Sequence, residues 1–344
     1  MPELPEVETV RAGLADHSLG RPVRAVRVVD ARSLRRHLPG PARFEAALTG
    51  RALRGAYRRG KYLWLTLSEA DGTLADEALV VHLGMSGQLL VRDEPDGDSG
   101  SDSEARAAFD EQPRHLRVAL ELGRAGNSES TASANRASAG QRLLFVDQRI
   151  FGGMFLSLLV PDVPAAVAAN EAAPGEMGQS EVPERFLVPE AVKHIARDPL
   201  DEFFDPAAVR RKFLRTSSGI KKVLLDQSVI SGGGNIYADE ALWRARLHYA
   251  KPARTLSAAQ TRELLEAITQ VLRESLAAGG TSFDALYVNV LGESGYFERS
   301  LNAYGRAGEP CYRCAEAGRT SLMVREPFQN RSSYRCPHCQ RAPR

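Results

Sequence analysis

The chain carries four cysteines among its 344 residues, and all four lie in the last 34 positions as two C-x-x-C pairs. This spacing is typical of tetrahedral Zn²⁺ and not of a secreted disulfide framework. The expected ligands are Cys311, Cys314, Cys336 and Cys339, whereas His338, inside the second pair, is expected to face solvent. Because four thiolates leave no open coordination position, we expect one structural Zn²⁺ below a hairpin of basic residues.

The N-terminus, MPELPEVET, offers a second kind of chemistry. Removal of Met1 would leave Pro2 as a free secondary amine beside the Glu3 carboxylate. An α-amino group titrates near ~7.7 to 8.0, below a lysine at ~10.4, so part of it is an unprotonated nucleophile at neutral pH. A secondary amine that attacks a sugar C1′ forms an iminium ion, which is an electron sink. The alternative is a structural role, with Pro2 at a helix start and the nearby acids favouring the helix dipole.

The segment SGGGNIYADE, Ser231 to Glu240, places three glycines before an expected helix start at Asn235. Backbone amides at such a start can bind an anion, so a phosphate could lie there. A glycine-rich turn that caps an ordinary helix is the alternative. The motif lacks the Lys-Ser/Thr ending of a nucleotide-binding P-loop.

The elements before this segment have the pattern of a β-sandwich, because short apolar runs alternate with turns between about residues 23 and 160. The runs are VRAVRVV, KYLWLTL, ALVVHLG, GQLLV, HLRVALEL, RLLFVD and MFLSLLV. Residues 6–14 predict a short helix before the strands. Two polar stretches, 93–112 and 123–141, predict flexible insertions between strands.

A stretch rich in Pro, Ala and Glu at 161–190 ends the strand pattern and predicts a domain boundary. Helical periodicity follows at 205–226, 235–246 and 257–278, the last with Ser257 and Gln260 in capping-box spacing. We therefore expect an α+β chain with an N-terminal β-sandwich domain and flanking helices at 1–160, a linker at 161–204, a helical domain at 205–305 and a C-terminal zinc segment at 306–344.

The net charge of +2 hides an uneven distribution. Residues 93–112 hold eight acids and one Arg, which leaves +9 on the remainder. Residues 51–61, RALRGAYRRGK, hold five cations and no acid, and residues 296–344 hold nine Arg against four Glu. Such clusters are typical of phosphate binding, although a solvated face is the alternative. Because no apolar run approaches ~20 residues and the sequence begins MPELPEVET and not with a basic stretch followed by an apolar one, we expect a cytoplasmic protein that does not bind membranes.

Seven motifs stand in the order and spacing seen in bacterial formamidopyrimidine-DNA glycosylases, which this chain resembles outside the insertions and part of the linker. They are MPELPEVETV, RRGKYLWL, VHLGMSGQL, DQRIFGG, SGGGNIYADE, YGRAGEPC and NRSSYRC with the C-x-x-C pairs. The resemblance implies a helix-two-turn-helix in the helical domain and a C-terminal zinc hairpin. It also implies a bacterial, nucleoid-associated monomer whose partner is damaged double-stranded DNA.

The resemblance also implies the catalytic residues. Pro2 matches the nucleophile, and Glu3 matches the carboxylate that assists ring opening and proton transfer at the sugar. Lys61 lies where the family has a lysine that contacts phosphate and lesion. Arg331 corresponds to the zinc-hairpin arginine that grips the phosphates beside the lesion.

Five further residues match DNA contacts of the family. His82 and Asn235 match contacts to backbone phosphates. Met85, Arg149 and Phe151 match the residues that fill the space left when the damaged base is flipped out. Core packing is the alternative for Met85 and Phe151, but each lies in a turn next to glycine.

The resemblance predicts a bifunctional DNA glycosylase and AP lyase that excises oxidised purines. Residues 281–295 would form the loop that covers the flipped base. Ile150 departs from the family, which often has a second arginine there, and this predicts weaker phosphate contact at that turn. The alternatives are an endonuclease VIII-like enzyme for oxidised pyrimidines and a non-catalytic zinc-ribbon DNA-binding protein.

Overall fold

A computed structural model of the chain describes residues 2–95, 111–125, 140–162, 182–280, 288–293, 295 and 297–343. The chain divides into two compact units. The first unit comprises Met1–Pro2, Glu6–Lys193 and Ser282–Gly295, and the second comprises Glu3–Pro5, His194–Thr281 and Tyr296–Arg344. Most of the two predicted insertions and of the expected loop at 281–295 lies outside the described residues, so all three stay predictions.

The first unit is a sandwich of two antiparallel sheets. One sheet has the strand order β1-β6-β7-β5 and the other β2-β3-β4-β8-β9. The strands are β1 Val23–Val28, β2 Ala52–Arg59, β3 Tyr62–Ser68, β4 Leu74–His82, β5 Gly87–Asp93, β6 Leu116–Leu122, β7 Gln141–Asp147, β8 Gly153–Pro161 and β9 Leu187–Pro189. Alternating apolar side chains from both sheets, such as Leu63 and Leu65 of β3 and Leu143 and Phe145 of β7, form one buried core.

Two helices accompany the sheets, α1 at Leu4–His17 and α2 at Pro41–Leu48. Helix α1 is longer than the predicted 6–14, and its buried face adds Leu14 and Val10 to the core of the sandwich. The prediction of an α+β chain with an N-terminal β-sandwich and flanking helices is confirmed.

Most of the basic run at 51–61 forms strand β2. The sequence analysis did not predict this strand, because its charged residues interrupt the apolar alternation. The arginines of the run are largely paired: Arg51 with Glu69, Arg54 with Glu184, Arg58 with Glu8 and Arg59 with Asp162. These four arginines therefore neutralise acids of the same unit, and phosphate binding by this run stays a prediction for Lys61.

The second unit is mainly helical. Its helices are α3 Pro206–Leu214, α4 Ile220–Leu224, α5 Asn235–Arg244, α6 Ala258–Ala277 and the short α7 Tyr312–Glu316. The single helix expected at 205–226 is wrong, because the chain turns at residues 215–219 and Gly219 forms a β-bridge with Pro252. Leu264, Ile268, Val271 and Leu272 of α6 are buried in the core of this unit.

The terminal segment folds into the expected hairpin. Strands β10 Val324–Phe328 and β11 Arg331–Arg335 pair antiparallel, with Phe328 opposite Arg331. The turn between them therefore holds two residues, and it places Arg331 at the first position of β11. Within the described part of the chain, no helix has the length and apolarity needed to cross a membrane.

Candidate functional site

The carboxylate of Glu3 lies at the start of helix α5, within the second unit. It accepts hydrogen bonds from the backbone N–H groups of Gly234 at 2.6 Å and Ile236 at 3.3 Å. The first amides of a helix have no partner inside the helix and carry partial positive charge, so a carboxylate is stabilised there. The sequence analysis suggested a phosphate at this helix start, whereas the anion bound by these two amides is the chain's own Glu3.

The glycines before α5 allow this approach. A Cβ atom on Gly234 would lie 2.3 Å from Oε1 of Glu3, so a larger residue would displace the carboxylate. Gly232 has a φ of +89°, a region that favours glycine, and its carbonyl accepts from the N–H of Leu4 at 3.0 Å. The glycines therefore do more than end a turn, because they hold Glu3 and Leu4 against the helix start.

Pro2 is buried and directly precedes Glu3. Helix α1 begins at Leu4, and the acid in its first turn is Glu6. Pro2 and Glu3 therefore precede the helix, and Glu6 is the acid that can interact favourably with the helix dipole. The structure leaves the amine and the carboxylate adjacent in the chain, with the carboxylate fixed.

In the first unit, His82 ends β4 and is positioned as a neutral hydrogen-bond donor. Its Nδ1 accepts from the N–H of Gly84 at 3.2 Å, which leaves the ring proton on Nε2. Burial, followed by the positive charges of Arg36, Lys61 and Arg35, lowers the pKa of His82 to about 4. The ring is therefore uncharged at neutral pH and can donate through Nε2.

Lys61 is buried at the turn between β2 and β3, beside His82. The neighbouring Tyr62 ring lies 4.7 Å from the His82 ring, and Arg36 donates to the Tyr62 hydroxyl at 2.7 Å. Three cationic side chains and a neutral imidazole thus converge on one end of the β3-β4 hairpin. This arrangement suits a phosphate group better than a neutral ligand.

Met85, Arg149 and Phe151 lie on two turns of the first unit that touch each other. The side chain of Arg149 is exposed, Met85 is 36% exposed and Phe151 is 54% exposed. The alternative of core packing for Met85 and Phe151 is therefore wrong. Large apolar side chains that project from neighbouring turns are available for insertion into a partner.

The buried carboxylate of Asp147 holds these two turns together through hydrogen bonds. Sequence reasoning missed this residue. Asp147 accepts from the Ser86 hydroxyl at 2.6 Å, the Gly152 N–H at 2.8 Å and the Arg149 N–H at 3.1 Å. Ser86 follows Met85, and the two amides flank Phe151. One side chain therefore sets the position of both turns.

Arg35 also holds the backbone of the second turn. Its guanidinium donates to the carbonyl oxygens of Ile150 and Gly152, each at 2.9 Å, and to that of Phe151. Ile150 has a φ of +56°, which a β-branched residue rarely adopts, so the backbone is strained at this point. Ile150, where the family often has an arginine, is therefore a residue whose backbone conformation is imposed by the surrounding hydrogen bonds.

In the second unit, Arg331 is exposed on β11 and its backbone is fixed by neighbours. The carbonyl of Ser332 accepts from Nδ2 of Asn235 at 3.0 Å and from Nζ of Lys221 at 3.1 Å. Asn235 is the first residue of α5, so the same helix start holds Glu3 and the strand that carries Arg331. Asn235, Glu3 and Arg331 are brought together through this backbone.

Lys221 and Asp239 form a buried ion pair at 2.7 Å that sequence reasoning also missed. Asp239 further accepts from the Ser333 hydroxyl and the Tyr334 N–H, both at 2.9 Å. Burial raises the pKa of Asp239 and lowers that of Lys221, against their mutual attraction. The only signal in the sequence was an Asp in the interior of the helix expected at 235–246, and the pair fixes β11 against α5.

The four cysteine sulfurs form a compact group in which all lie within 4.8 Å of one another. The sulfur of Cys314 is 3.7 Å from that of Cys336 and 3.5 Å from that of Cys339. A tetrahedral ion with bonds of ~2.3 Å to sulfur separates its ligands by about 3.8 Å, so the group fits one such ion. Cys311, Cys314, Cys336 and Cys339 therefore form a structural metal site, and His338 is outside the group.

Comparison with known proteins places the chain in a family. A model of the formamidopyrimidine-DNA glycosylase N-terminal domain matches residues 1–154, and a model of the formamidopyrimidine-DNA glycosylase H2TH domain matches residues 195–286. Relatives named formamidopyrimidine-DNA glycosylase include one from Nocardia farcinica, 50% identical over 100% of this chain and 99% of its own. Another, from Acidothermus cellulolyticus, is 47% identical over the same shares.

Solved structures agree with this placement. The chain is similar to Lactococcus lactis Fpg in complex with an abasic site containing DNA, with a TM-score of 0.70, 26% identity and coverage of 99% of this chain and 100% of that one. It is also similar to MutM in complex with carbocyclic 8-oxo-G containing DNA, with a TM-score of 0.70, 27% identity and the same coverage.

Fold, site and relatives together define a DNA glycosylase. The chain belongs to the formamidopyrimidine-DNA glycosylase family.

Proposed function

We propose that the protein is a bifunctional DNA glycosylase and AP lyase that excises oxidised purines such as 8-oxoguanine and formamidopyrimidines from duplex DNA. The observation that carries the proposal is the Glu3 carboxylate, buried and held by two backbone amides next to Pro2. A carboxylate positioned beside an N-terminal amine can move protons while the amine acts as nucleophile.

In the first stage, the Pro2 nitrogen forms a bond to C1′ and the bond from C1′ to the damaged base breaks, with its electron pair leaving on the base. The base takes up a proton. The amine loses its proton, and the sugar ring oxygen leaves C1′ as a hydroxyl whose proton passes through Glu3. The product is an iminium ion between Pro2 and C1′.

In the second stage, the iminium accepts electrons from the sugar. Loss of a proton from C2′ breaks the bond from C3′ to oxygen, and loss of a proton from C4′ in a second elimination breaks the bond from C5′ to oxygen. Each break releases a phosphate, so the strand is cut on both sides of the abasic sugar. Hydrolysis of the remaining iminium ion then frees Pro2.

DNA binding is assigned to two groups of residues. Lys61, His82, Asn235 and Arg331 would contact phosphates, which suits the cationic cluster around His82 and the exposed Arg331. Met85, Arg149 and Phe151 would fill the space left by the flipped base, which their exposure supports. The two similar structures cited above contain damaged DNA, and we propose that this chain binds such DNA as a monomer.

We propose that the metal is Zn²⁺, since four thiolates in tetrahedral spacing suit it best. Bound there, zinc supplies folding free energy to a segment too small for a core of its own. The proposed parts of the chain are the catalytic domain at 1–160, the linker at 161–204, the helix-two-turn-helix domain at 205–305 and the zinc finger at 306–344.

Borohydride trapping tests the reaction, because reduction of the iminium leaves the protein covalently bound to DNA. With a duplex that contains 8-oxoguanine, the wild type is expected to trap, and Pro2→Gly is expected to lose most trapping while it still binds the lesion. Glu3→Gln is expected to lose base excision but to cut a preformed abasic site. Undiminished trapping by Pro2→Gly would contradict the assigned nucleophile.

The same assay separates the alternatives. Faster trapping on a duplex with an oxidised pyrimidine than on one with 8-oxoguanine would favour an endonuclease VIII-like enzyme. Binding without trapping on either duplex would favour a non-catalytic DNA-binding protein. Intact-mass measurement is the control, since retained Met1 blocks the Pro2 amine.

A further inference from the structure

Helix α5 reaches three parts of the second unit. Its first residues hold Glu3, and Asp239 in its middle holds β11. The carboxylate of Glu240 accepts from the backbone N–H groups of Asn302, Ala303 and Tyr304. The last turn of the helix carries Trp243, to which none of the roles above applies.

The indole of Trp243 is directed at the metal site. Its Nε1–H donates to the sulfur of Cys311 at 3.4 Å, and the side chain is 8% exposed. Trp243 belongs to the same buried apolar cluster as Cys311, Cys314 and Cys336. A thiolate that binds a metal keeps lone pairs for a donor, so this hydrogen bond is compatible with metal binding.

The sulfur of Cys336 obtains its hydrogen-bond donors from the terminal segment itself. Cys336 is contacted by the N–H of Cys339 at 3.4 Å and by the hydroxyl of Ser321 at 3.3 Å. The donor to Cys311 comes instead from a residue 68 positions earlier in the chain. This bond therefore links the metal ligands to a helix outside their own segment.

A second contact reinforces the link. Arg313, between the first two cysteines, stacks its guanidinium 4.1 Å above the Trp243 ring. The same group donates to the carbonyl of Trp243 at 3.0 Å and to that of Arg244 at 3.4 Å. Carbonyls at a helix end lack partners inside the helix, so a cation is favoured there.

We propose that Trp243 is a positioning residue of the metal centre, which holds the Cys311 sulfur in place through its indole N–H and thereby raises the affinity of the site for the metal. The proposal rests on the proposed Zn²⁺ and not on the excision reaction. Hydrogen-bond partners of metal ligands commonly change metal affinity about 10- to 100-fold. Trp243→Phe keeps an aromatic ring beneath Arg313 and removes the donor.

The chain offers a matched control in Trp64, its second and only other tryptophan. Trp64 is also buried, but its Nε1 has no hydrogen-bond partner among the described residues. Trp64→Phe therefore removes an indole N–H of the first unit that donates to none of the described residues. It also leaves Trp243 as the single tryptophan, so its fluorescence reports on the metal site alone.

The test uses full-length protein purified with its Zn²⁺ and a chromophoric chelator that competes for the ion. We expect Trp243→Phe to bind Zn²⁺ at least 10-fold more weakly than the wild type, and Trp64→Phe to stay within twofold of it. In Trp64→Phe, EDTA is expected to change the emission of Trp243, and added Zn²⁺ is expected to restore it. The emission of Trp64 in Trp243→Phe should not respond.

Wild-type Zn²⁺ affinity in Trp243→Phe would overturn the proposal. The proposal would also be overturned if EDTA leaves the tryptophan emission of Trp64→Phe unchanged. This measurement does not depend on the folding of Trp243→Phe. Wild-type protein that binds no Zn²⁺ would overturn the proposed metal together with this inference. Trapping on 8-oxoguanine DNA tests the excision reaction separately.

Discussion

Helices α5 and α6 begin in opposite ways. At the start of α6, Ser257 accepts from the N–H of Gln260 at 3.1 Å, and Gln260 accepts from the N–H of Ser257 at 3.2 Å. At the start of α5, Gly234 has no side chain to offer, and the acceptor is Glu3, 231 positions away. The capping box serves its own helix, whereas the start of α5 fixes a carboxylate from the far end of the chain.

This difference between the two helix starts separates a cap that only stabilises its helix from a cap that also positions a functional residue. A local cap contributes about 1 kcal/mol to helix stability and positions no distant group. The long-range cap satisfies the same backbone amides and also orients the residue that we propose for proton transfer. Changes at the two helix starts should therefore separate stability from activity.

The largest effect is expected for Gly234→Ala. Its Cβ would lie 2.3 Å from Oε1 of Glu3, so the carboxylate must move away from the amides. A displacement of about 1 Å can cost about 100-fold in rate, roughly 2.7 kcal/mol, so single-turnover base excision should fall by at least that factor. Gly233→Ala is the control, because its Cβ would meet only Ile268 at 3.4 Å. Equal rates for the two variants would contradict the role of the helix start.

Asp147→Ala extends the comparison to the first unit, where a second carboxylate holds backbone amides. The variant leaves the Gly152 and Arg149 N–H groups and the Ser86 hydroxyl without this acceptor. We expect the free energy of unfolding in urea to fall by about 2 kcal/mol. Ser86→Ala removes one of the three bonds to Asp147 and leaves the Arg149 N–H, which is shared between Ser86 Oγ and Asp147, on Asp147 alone, so it should cost about half as much. If the free energy of unfolding falls no further in Asp147→Ala than in Ser86→Ala, Asp147 does not hold the two turns together.

Ser257→Ala tests the local cap at the start of α6. It removes the cap of α6, and the free energy of unfolding is expected to fall by about 1 kcal/mol. Base excision under the same conditions should stay within twofold of the wild type, because Ser257 holds no other segment in place. A large loss of activity with small loss of stability would show that α6 also positions the site.

The smallest effect at neutral pH is expected for His82→Asn, whose amide oxygen can still accept from Gly84. The pKa of His82 is about 4 in the fold, below the ordinary value of 6.5. Between these values the unfolded chain binds a proton that the folded chain does not, so His82 makes stability fall as pH decreases from 6.5 to 4. The slope is at most about 1.4 kcal/mol per pH unit and should flatten in His82→Asn. The exposed His194→Asn serves as the control, and an unchanged slope in His82→Asn would contradict the shift.

Much of the fold follows from local pattern. Seven apolar runs correspond to strands, the capping box of Ser257 and Gln260 is present, and the cysteine pairs converge on one site. Strand β2 was missed because three arginines masked its alternation, and two of their acidic partners, Glu184 and Asp162, lie more than 100 positions away. A pattern of charges records which residues are present but not which of them neutralise each other.

The sequence by itself therefore determined the residue types of the site, the α+β class and the metal ligands, since these depend on spacing within short segments. The tertiary structure decided that Glu3 lies at the start of α5, that Asp147 joins two turns and that Trp243 reaches Cys311. Each of these is a hydrogen bond to a buried group that is made only once the backbone is folded. Periodicity within a short window carries no information on such pairs, because the free energy of burying a polar group depends on which partner the whole fold brings to it.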